Sequence, residues 1–390
     1  MRYTHDLEHH RDQTLERSTM ANRDRGRRYR EAGKRRAGGM PFHRRHRKLV
    51  VGVLSFALLI VGAGASYAYL LNSKFGDIAK VKTSGLKNRP DPDKGKALNI
   101  MLLGSDKGKA VPGVPADTTL SQDAKAAKWP SGKYRSDTLM IVHISEDRKH
   151  VYLVSIPRDT LATLHNETGT PKQQQKINAA FSFYGPNGTI STVENLTDVR
   201  MRHLAIIDWA GFKDLSHAVG GVPVFIPRPF FDPSQKIQWK AGQQTLEGKK
   251  ALAYVRTRYG LQNGDFDRIA RQQNFLRAMM KKMLAKGTLR NPVKLTRTLS
   301  ALTQNLTVDE EWNSGDMRGL ALSLRGTEAK DVTFMTAPVA GTETVPGLGS
   351  VVRLDELKSK ELFTAMKRDT MERYIKKYPK DVLKSDKKIS

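Results

Sequence analysis

Five short segments of this 390-residue chain bring charged side chains to the ends of apolar runs. "LLGSD" delivers Asp106, "YRSDT" Arg135 and Asp137, "SIPRDT" Arg158 and Asp159, and "KINAA" Lys176 and Asn178. "YVRTRYGLQNGDFDRIARQQ" carries Arg256, Arg258, Asp265, Asp267, Arg268, Arg271 and Gln272. Each has an ordinary reading when taken alone. A carboxylate after a strand caps a turn, Arg158-Asp159 is a solvated loop ion pair, and Arg271 belongs to a solvated basic helix face. Together they describe a phosphate site. Arginine presents a planar fork of donors to phosphate oxygens and lysine a point charge. Two carboxylates at neighbouring strand ends, Asp106 and Asp137, can hold a hard divalent cation with water completing its shell. On a helix Arg268 and Gln272 are four apart and share a face, with Arg271 beside them. Arg256 and Arg258, two apart, share a face only where the backbone is extended.

Such residues need a sheet whose strands end together. "LNIMLL" (98–103), "TLMIVHIS" (138–145), "VYLVSIP" (151–157), "HLAIIDW" (203–209) and "VPVFIP" (222–227) are short apolar runs, mostly β-branched, and read as strands. The polar stretch Glu146 to His150 joins the second and third as an antiparallel hairpin. Helices are expected over Lys176–Tyr184, Ile190–Leu196, Phe212–Val219 and Leu246–Tyr254, and a long one over Phe266–Leu284 with Ile269, Leu276, Met280 and Met283 along one side. Strands alternating with helices predict an α/β fold, a three-layer α/β/α domain with a mixed central sheet. The stretch Lys107 to Lys133, rich in Gly, Pro, Asp, Lys and Ala, reads as a mobile surface loop. "DVTFMTAPV" reads as a further strand and Leu354–Tyr378 as charged helix.

The flanks set the context. Lys and Arg number 67 against 39 Asp and Glu, a net charge of +28, which calls for an anionic partner: nucleic acid, acidic lipid or a phosphate-rich polymer. The absence of cysteine excludes disulfides, thiolate metal sites and a cysteine nucleophile. Residues 1–48 are basic and lack apolar periodicity, so they read as a disordered arm. Residues 49–71 form an uncharged apolar run long enough to cross the roughly 30 Å hydrocarbon layer as one transmembrane helix. The competing reading is a signal peptide cleaved near Ala63-Gly64-Ala65, against which stand the long basic leader and the length of the run. The arginines before Leu49 orient the N-terminus to the cytoplasm and place the remainder outside the cell. Residues 72–96 read as a linker, 97–290 as the catalytic domain and 291–390 as a C-terminal extension of it.

In order along the chain, "LNIMLLGSD", "RSDT", "SIPRDT", "KINAAF", "AVGGVPV" and "LEGKKALAYVRTR…GDFDRIARQQ" resemble the LytR-CpsA-Psr family of cell-wall glycopolymer ligases. The resemblance spans roughly residues 98–286. It implies an extracytoplasmic phosphotransferase that takes an anionic glycopolymer from a polyprenyl pyrophosphate carrier and joins it to peptidoglycan through a phosphodiester. Teichoic acid, arabinogalactan and capsule are the candidate cargoes. By the same resemblance Asp106 and Asp137 would hold Mg²⁺ (or Mn²⁺), and Arg135, Lys176, Arg256, Arg258, Arg268 and Gln272 would grip the pyrophosphate together with Arg158. Asp159 and Asp265 would orient those arginines or take the proton of the attacking sugar hydroxyl. A lipid tunnel would be lined by the apolar strands and the long helix. Two alternatives stay open: a hydrolase of lipid pyrophosphates using the same site, and a membrane-tethered transcriptional attenuator. Nucleic acid is not the expected partner, because the charged constellation lies across the membrane from DNA and the arm has no DNA-binding motif.

Overall fold

The computed structural model describes residues 73–385 except 77, 84, 108–110, 116, 127, 260–264, 286 and 288–290, with the backbone alone of Lys107 and Asp265. The expected arm 1–48 and the apolar run 49–71 lie outside the described residues. Among those described, no helix is long and apolar enough to cross a membrane.

In chain order the elements begin β1 (Ala79–Val81), β2 (Leu98–Lys107), helix α1 (Leu120–Ala124), β3 (Tyr134–Ile144), β4 (Val151–Ser155), β5 (Leu161–His165) and β6 (Pro171–Lys176). They continue α2 (Ala179–Thr197), β7 (His203–Asp208), α3 (Trp209–Ala218), β8 (Val222–Ile226), β9 (Phe230–Asp232), β10 (Ile237–Trp239), β11 (Gly242–Leu246), α4 (Gly248–Arg256) and α5 (Asp265–Met283). The last are α6 (Pro292–Asn305), β12 (Leu306–Asp309), α7 (Ser314–Ser323), β13 (Val332–Thr336), β14 (Val339–Val345), β15 (Gly349–Leu354), α8 (Glu356–Lys367) and α9 (Met371–Lys377).

Seven strands make one mixed sheet in the order β1-β12-β7-β2-β3-β4-β13. β2, β3 and β4 are successively antiparallel, while β7 runs parallel to β2 and β13 parallel to β4. The expected hairpin is present as β3–β4, with Met140 opposite Ser155 and Ile144 opposite Val151. These central strands are apolar on both sides because both sides are covered. Met101, Leu103, Ile141 and Val154 pack with Phe181 and Val193 of α2 and with Leu362 and Met366 of α8. Ile100, Met140, Val151 and Leu153 pack with Met317 of α7 and with Leu276 and Met280 of α5. Helices therefore cover both faces of a mixed central sheet.

The sheet runs past both boundaries drawn in the sequence. β1 comes from the stretch read as linker and pairs with β12, and β12 and β13 come from beyond residue 290 and pair with β7 and β4. A three-residue strand is too short to show alternation, so composition alone marked it as linker. The helices expected at Lys176–Tyr184 and Ile190–Leu196 are one element, α2, kinked at Gly185, and Lys176 itself closes β6.

The described part of 107–133, the stretch read as a mobile loop, holds ordered contacts. It carries α1 and a buried ion pair, Lys133 Nζ lying 2.6 Å from Asp123 Oδ2. Desolvation pushes the Asp123 pKa up, but hydrogen bonds from Lys133, Tyr134 and Thr118 outweigh it and hold the carboxyl below its ordinary value. Trp129 Nε1 donates to Ser182 O at 3.2 Å, and Gly132 N donates to the same carbonyl at 2.9 Å. The Trp129 ring lies on Gly185, whose φ of +65° breaks α2 before Pro186 restarts it. A Cβ there would stand 2.6 Å from Trp129 Cδ2.

β8 with β11 and β9 with β10 form two short antiparallel ribbons. With α3, α4 and α5 they enclose a second apolar cluster that includes Val222, Tyr254, Phe275 and Met279. α5 is thus buried on two sides, Phe275 and Met279 in this lobe and Met280 toward the sheet. The single stripe expected from periodicity captured only part of that surface. At the end of β9, Asp232 is fully buried and accepts hydrogen bonds from Ser234 Oγ (2.6 Å), Gln235 Nε2 (2.7 Å) and the Thr257 hydroxyl. Burial pushes its pKa up, yet these bonds reverse the shift and bring it to about 2.

Two predictions follow from these contacts. The folded pKa of Asp232 lies below its unfolded value near 3.8, so its network stabilises the fold above about pH 4 and that contribution is lost as pH falls toward 2. The shift corresponds to about 2 kcal/mol. Asp232→Asn should lower the thermal midpoint at neutral pH and differ much less from wild type in strong acid; equal midpoints at neutral pH would contradict the assignment. Gly185→Ala should cost on the order of 1–3 kcal/mol in denaturant unfolding, from the left-handed backbone and the Trp129 clash, and should shift tryptophan fluorescence.

Candidate functional site

β2, β4 and β7 point the same way, so their carboxyl ends and the start of β3 meet at one rim of the sheet, where ligands of open α/β sheets bind. A cavity of about 670 Å³ opens there, lined by five cationic side chains, Arg135, Arg158, Lys176, Arg256 and Arg258, and by three carboxylates, Asp106, Asp137 and Asp159. Among the described side chains the rim therefore carries an excess of positive charge.

Asp137 reaches this rim through a β-bulge. Gly104 pairs with Thr138 and Ser105 with Ser136, so Asp137 has no residue directly opposite. Bulges of this kind re-aim side chains next to sites. Gly104 permits the close approach, since a Cβ on it would lie 2.9 Å from Thr138 Cβ. The next strand end turns at Pro157. Thr160 N donates to Pro157 O (3.0 Å) within the turn, while Ile156 N donates to Leu139 O of β3 (2.9 Å), Asn178 N to Arg158 O (3.1 Å) and Val352 N to Asp159 O (2.8 Å), fixing the corner from three directions. The Arg158 and Asp159 side chains are only 16% and 21% exposed, so "PRDT" is not the solvated loop pair of the ordinary reading.

Arg158 Nη1 donates to Asp137 Oδ1 at 2.7 Å, a charge-assisted bond, whereas Arg158 Nε lies 3.6 Å from Asp159 Oδ2. Lys176 Nζ lies 3.6 Å from Asp159 Oδ1. Asp159 thus sits between two cations, and the tighter hold on Arg158 belongs to Asp137, which the sequence reading had given to a metal. Arg256 Nη2 stands 3.2 Å from Asp106 Oδ2, with its guanidinium carbon 5.5 Å from the centre of the Trp209 ring. Arg135 is exposed and lies opposite Asp106 in the ladder. Arg256 ends α4, and Thr257 is extended (φ −57°, ψ 134°), the condition under which Arg256 and Arg258 were expected to act together.

A second cavity of about 440 Å³ shares Asp137, Arg256 and Arg258 with the first and adds Arg268 and Gln272. Arg268 is nearly fully buried. Gln272 Nε2 donates to Val255 O (3.2 Å) and its Oε1 accepts from Thr138 Oγ1 (3.3 Å), tying β3 to the end of α4. Arg271 is 1% exposed and lines neither cavity; it lies 4.8 Å from the Phe230 ring centre and 5.0 Å from that of Tyr254. Burial pushes its pKa down, partly offset by Tyr254, Asp267 and Asp232. Of Asp265 only the backbone is described, at the start of α5. Sequence reasoning missed Asp232, Gln235 and Thr257, which fix the backbone between Arg256 and Arg258. The turn signature "FFDPSQ" was the available signal.

As metal donors, Asp106 and Asp137 supply hard oxygens from adjacent strands, and among the described residues no histidine lines the cavity. Among the described residues no group of three or more potential ligands is assembled. That donor set suits an ion which keeps several waters and takes one or two carboxylates plus substrate phosphate oxygens, as Mg²⁺ does.

The LytR_cpsA_psr family model matches residues 66–368. The cell wall biosynthesis protein LcpA of Corynebacterium glutamicum is 30% identical over 341 residues, covering 79% of this chain and 63% of LcpA. The polyisoprenyl-teichoic acid–peptidoglycan teichoic acid transferase TagV of Bacillus subtilis is 31% identical over 285 residues, covering 70% of this chain and 66% of TagV. The chain thus spans about two thirds of the length of these curated relatives. The crystal structure of B. subtilis TagV aligns with a TM-score of 0.54 at 24% identity, over 72% of this chain and 98% of that one. A LytR-Csp2A-Psr enzyme from Actinomyces oris aligns with a TM-score of 0.56 at 19% identity, over 74% and 96%. At such identities the structural likeness speaks for the fold. With its family model running from residue 66 to residue 368, this chain belongs to the LytR-CpsA-Psr family.

Proposed function

We propose that the chain is an extracytoplasmic phosphotransferase that moves an anionic glycopolymer from a polyprenyl pyrophosphate carrier to peptidoglycan through a phosphodiester. The observation that carries this reading is the convergence of Arg135, Arg158, Lys176, Arg256 and Arg258 in one cavity at the carboxyl rim of the sheet. Relatives whose names specify teichoic acid transfer to peptidoglycan support it.

Phosphoryl transfer asks a protein mainly for positioning and charge neutralisation. The arginines and Lys176 bind the pyrophosphate oxygens, and Asp137 and Asp159 keep Arg158 and Lys176 aimed at them. A sugar hydroxyl of the acceptor attacks the phosphorus that bears the polymer. The bond from that phosphorus to the bridging oxygen breaks, polyprenyl phosphate leaves, and the hydroxyl proton passes to a carboxylate, for which Asp159 and Asp265 are the candidates. Mg²⁺ or Mn²⁺ would be held by Asp106 and Asp137 and would neutralise phosphate charge. The proposal includes the membrane: residues 49–71 as a single transmembrane helix, the disordered basic arm in the cytoplasm and the catalytic domain outside, supported by the uncharged apolar run and its arginine-rich flank.

Lysine keeps the charge of Arg158 but not its planar pair of donors. Arg158→Lys should therefore lower kcat on the order of ten-fold to a thousand-fold, the range for losing one well-placed donor to developing negative charge. A surface ion pair would instead leave turnover unchanged and alter stability by only about 0–1 kcal/mol, so turnover and thermal midpoint of this variant decide between the two. Asp106→Ala and Asp137→Ala should each abolish turnover that depends on added divalent cation while the circular dichroism spectrum is retained. Wild-type activity of either variant in chelator would remove the metal assignment. Transfer itself is read by mass spectrometry of product formed from lipid-linked glycan and peptidoglycan oligomers.

A further inference from the structure

Next to the arginine-lined cavity, across the Ser182-Phe183 ridge at the start of α2, lies a groove of about 450 Å³ whose residues include Lys82, Trp129, Lys172, Phe183, Tyr184 and Asn187. Phe183, 38% exposed, lines both. We infer that this groove is the subsite for the acceptor glycan strand, holding its sugar rings against aromatic walls and its carboxylates with lysines. The inference rests on the transfer reading above and assigns its second substrate a place.

The walls are rigid. Trp129 is clamped by its bond to Ser182 O and by its seat on Gly185. Phe183 and Tyr184 stand nearly perpendicular, ring centres 6.1 Å apart, and the Tyr184 hydroxyl donates to Gln173 Oε1 at 3.3 Å. Rigid aromatics with a polar tip give contact area at little entropic loss. A pyranose ring has apolar C–H faces and a hydroxyl edge, which match such walls beside amide oxygens; Asn187 Oδ1 is buried there with no hydrogen-bond partner among the described residues.

The charges differ from those of the catalytic cavity. Among the described residues no arginine lines the groove, while the neighbouring cavity has four, so the fork geometry suited to phosphate belongs to that cavity. Lys82, Lys128 and Lys172 are exposed along it and form no ion pair with a carboxylate among the described residues; of the two carboxylates that also line the groove, Asp123 is held by Lys133 and Glu167 is exposed, so the three lysines leave it an excess of positive charge. Lysines arranged singly suit carboxylates carried by an acceptor strand. The recessed shape and a volume within the range of ligand sites favour a chain threaded through a groove over a flat lipid surface. A strand lying there reaches the phosphate cavity over Phe183, so one of its hydroxyls is delivered to the phosphorus.

The test is direct binding by the full chain in detergent, without donor, of soluble uncrosslinked peptidoglycan strands that retain their peptides. Wild type should bind; Tyr184→Ala should weaken binding roughly tenfold and Lys172→Gln by less, the order expected for truncating an anchoring aromatic and a rim charge. Removing the peptides from the strands should weaken wild-type binding and abolish the effect of Lys172→Gln. Lys358→Ala, on α8, is the control, and thermal midpoints verify folding. Absence of strand binding by wild type, or equal affinity in folded Tyr184→Ala, overturns the subsite, as does a lysine-dependent affinity for acidic phospholipid vesicles in place of strands. Release of polyprenyl phosphate from lipid-linked donor is followed in parallel. Strand binding that depends on Tyr184 without any donor turnover would overturn the transfer reading and leave the subsite standing; turnover with no such binding would do the reverse.

Discussion

Like charges crowd one rim of this sheet, and their repulsion is the constraint around which the site is built. Five cations line one cavity. Two unit charges about 7 Å apart repel by roughly 2 kcal/mol at an effective dielectric of 20. With no opposing charge the guanidinium groups would splay into solvent. The carboxylates answer that repulsion locally: Asp137 takes Arg158, Asp159 lies between Arg158 and Lys176, and Asp106 takes Arg256. Among the described side chains they leave the cavity net positive, the field that a pyrophosphate would meet.

Backbone devices hold these pairs in register. The bulge at Asp137 turns that carboxylate toward Arg158, and Gly104 allows the strands to approach closely enough to form it. The Pro157 corner is bonded to β3, to the segment before α2 and to β15, so Arg158 projects from a fixed base. Asp232 and Gln235 keep Thr257 buried and extended between two arginines. Each device lies outside the list of residues that would touch phosphate, and each is a long-range contact between segments far apart in the chain.

Much of the site was legible because its charges follow apolar runs. A strand end is a position that periodicity reveals, and the residues that the family resemblance put in the site line one of the two adjoining cavities wherever their side chains are described, whereas Asp267 and Arg271 line neither. The reading failed where burial depends on partners distant in sequence. Arg271 sits three residues from Arg268 on the same helix, yet it is stacked on aromatic rings of the small lobe while Arg268 faces a cavity. Residues 107–133 looked mobile by composition, but among those described Trp129 is bonded to Ser182 of α2 and Lys133 to buried Asp123, contacts that composition does not reveal.

The sequence by itself determined the class of fold, the order of the central strands' hairpin, the family and the set of charged residues at strand ends, because alternation and strand termination are local properties of a chain. It did not determine which carboxylate holds which arginine, that residues 79–81, 306–309 and 332–336 complete the sheet, or that a groove adjoins the cavity behind Phe183. Those were decided by tertiary structure. Pairing of short strands, a bulge and the seating of Trp129 on Gly185 join segments tens to hundreds of residues apart, and their favourable energy exists only once both partners are brought together.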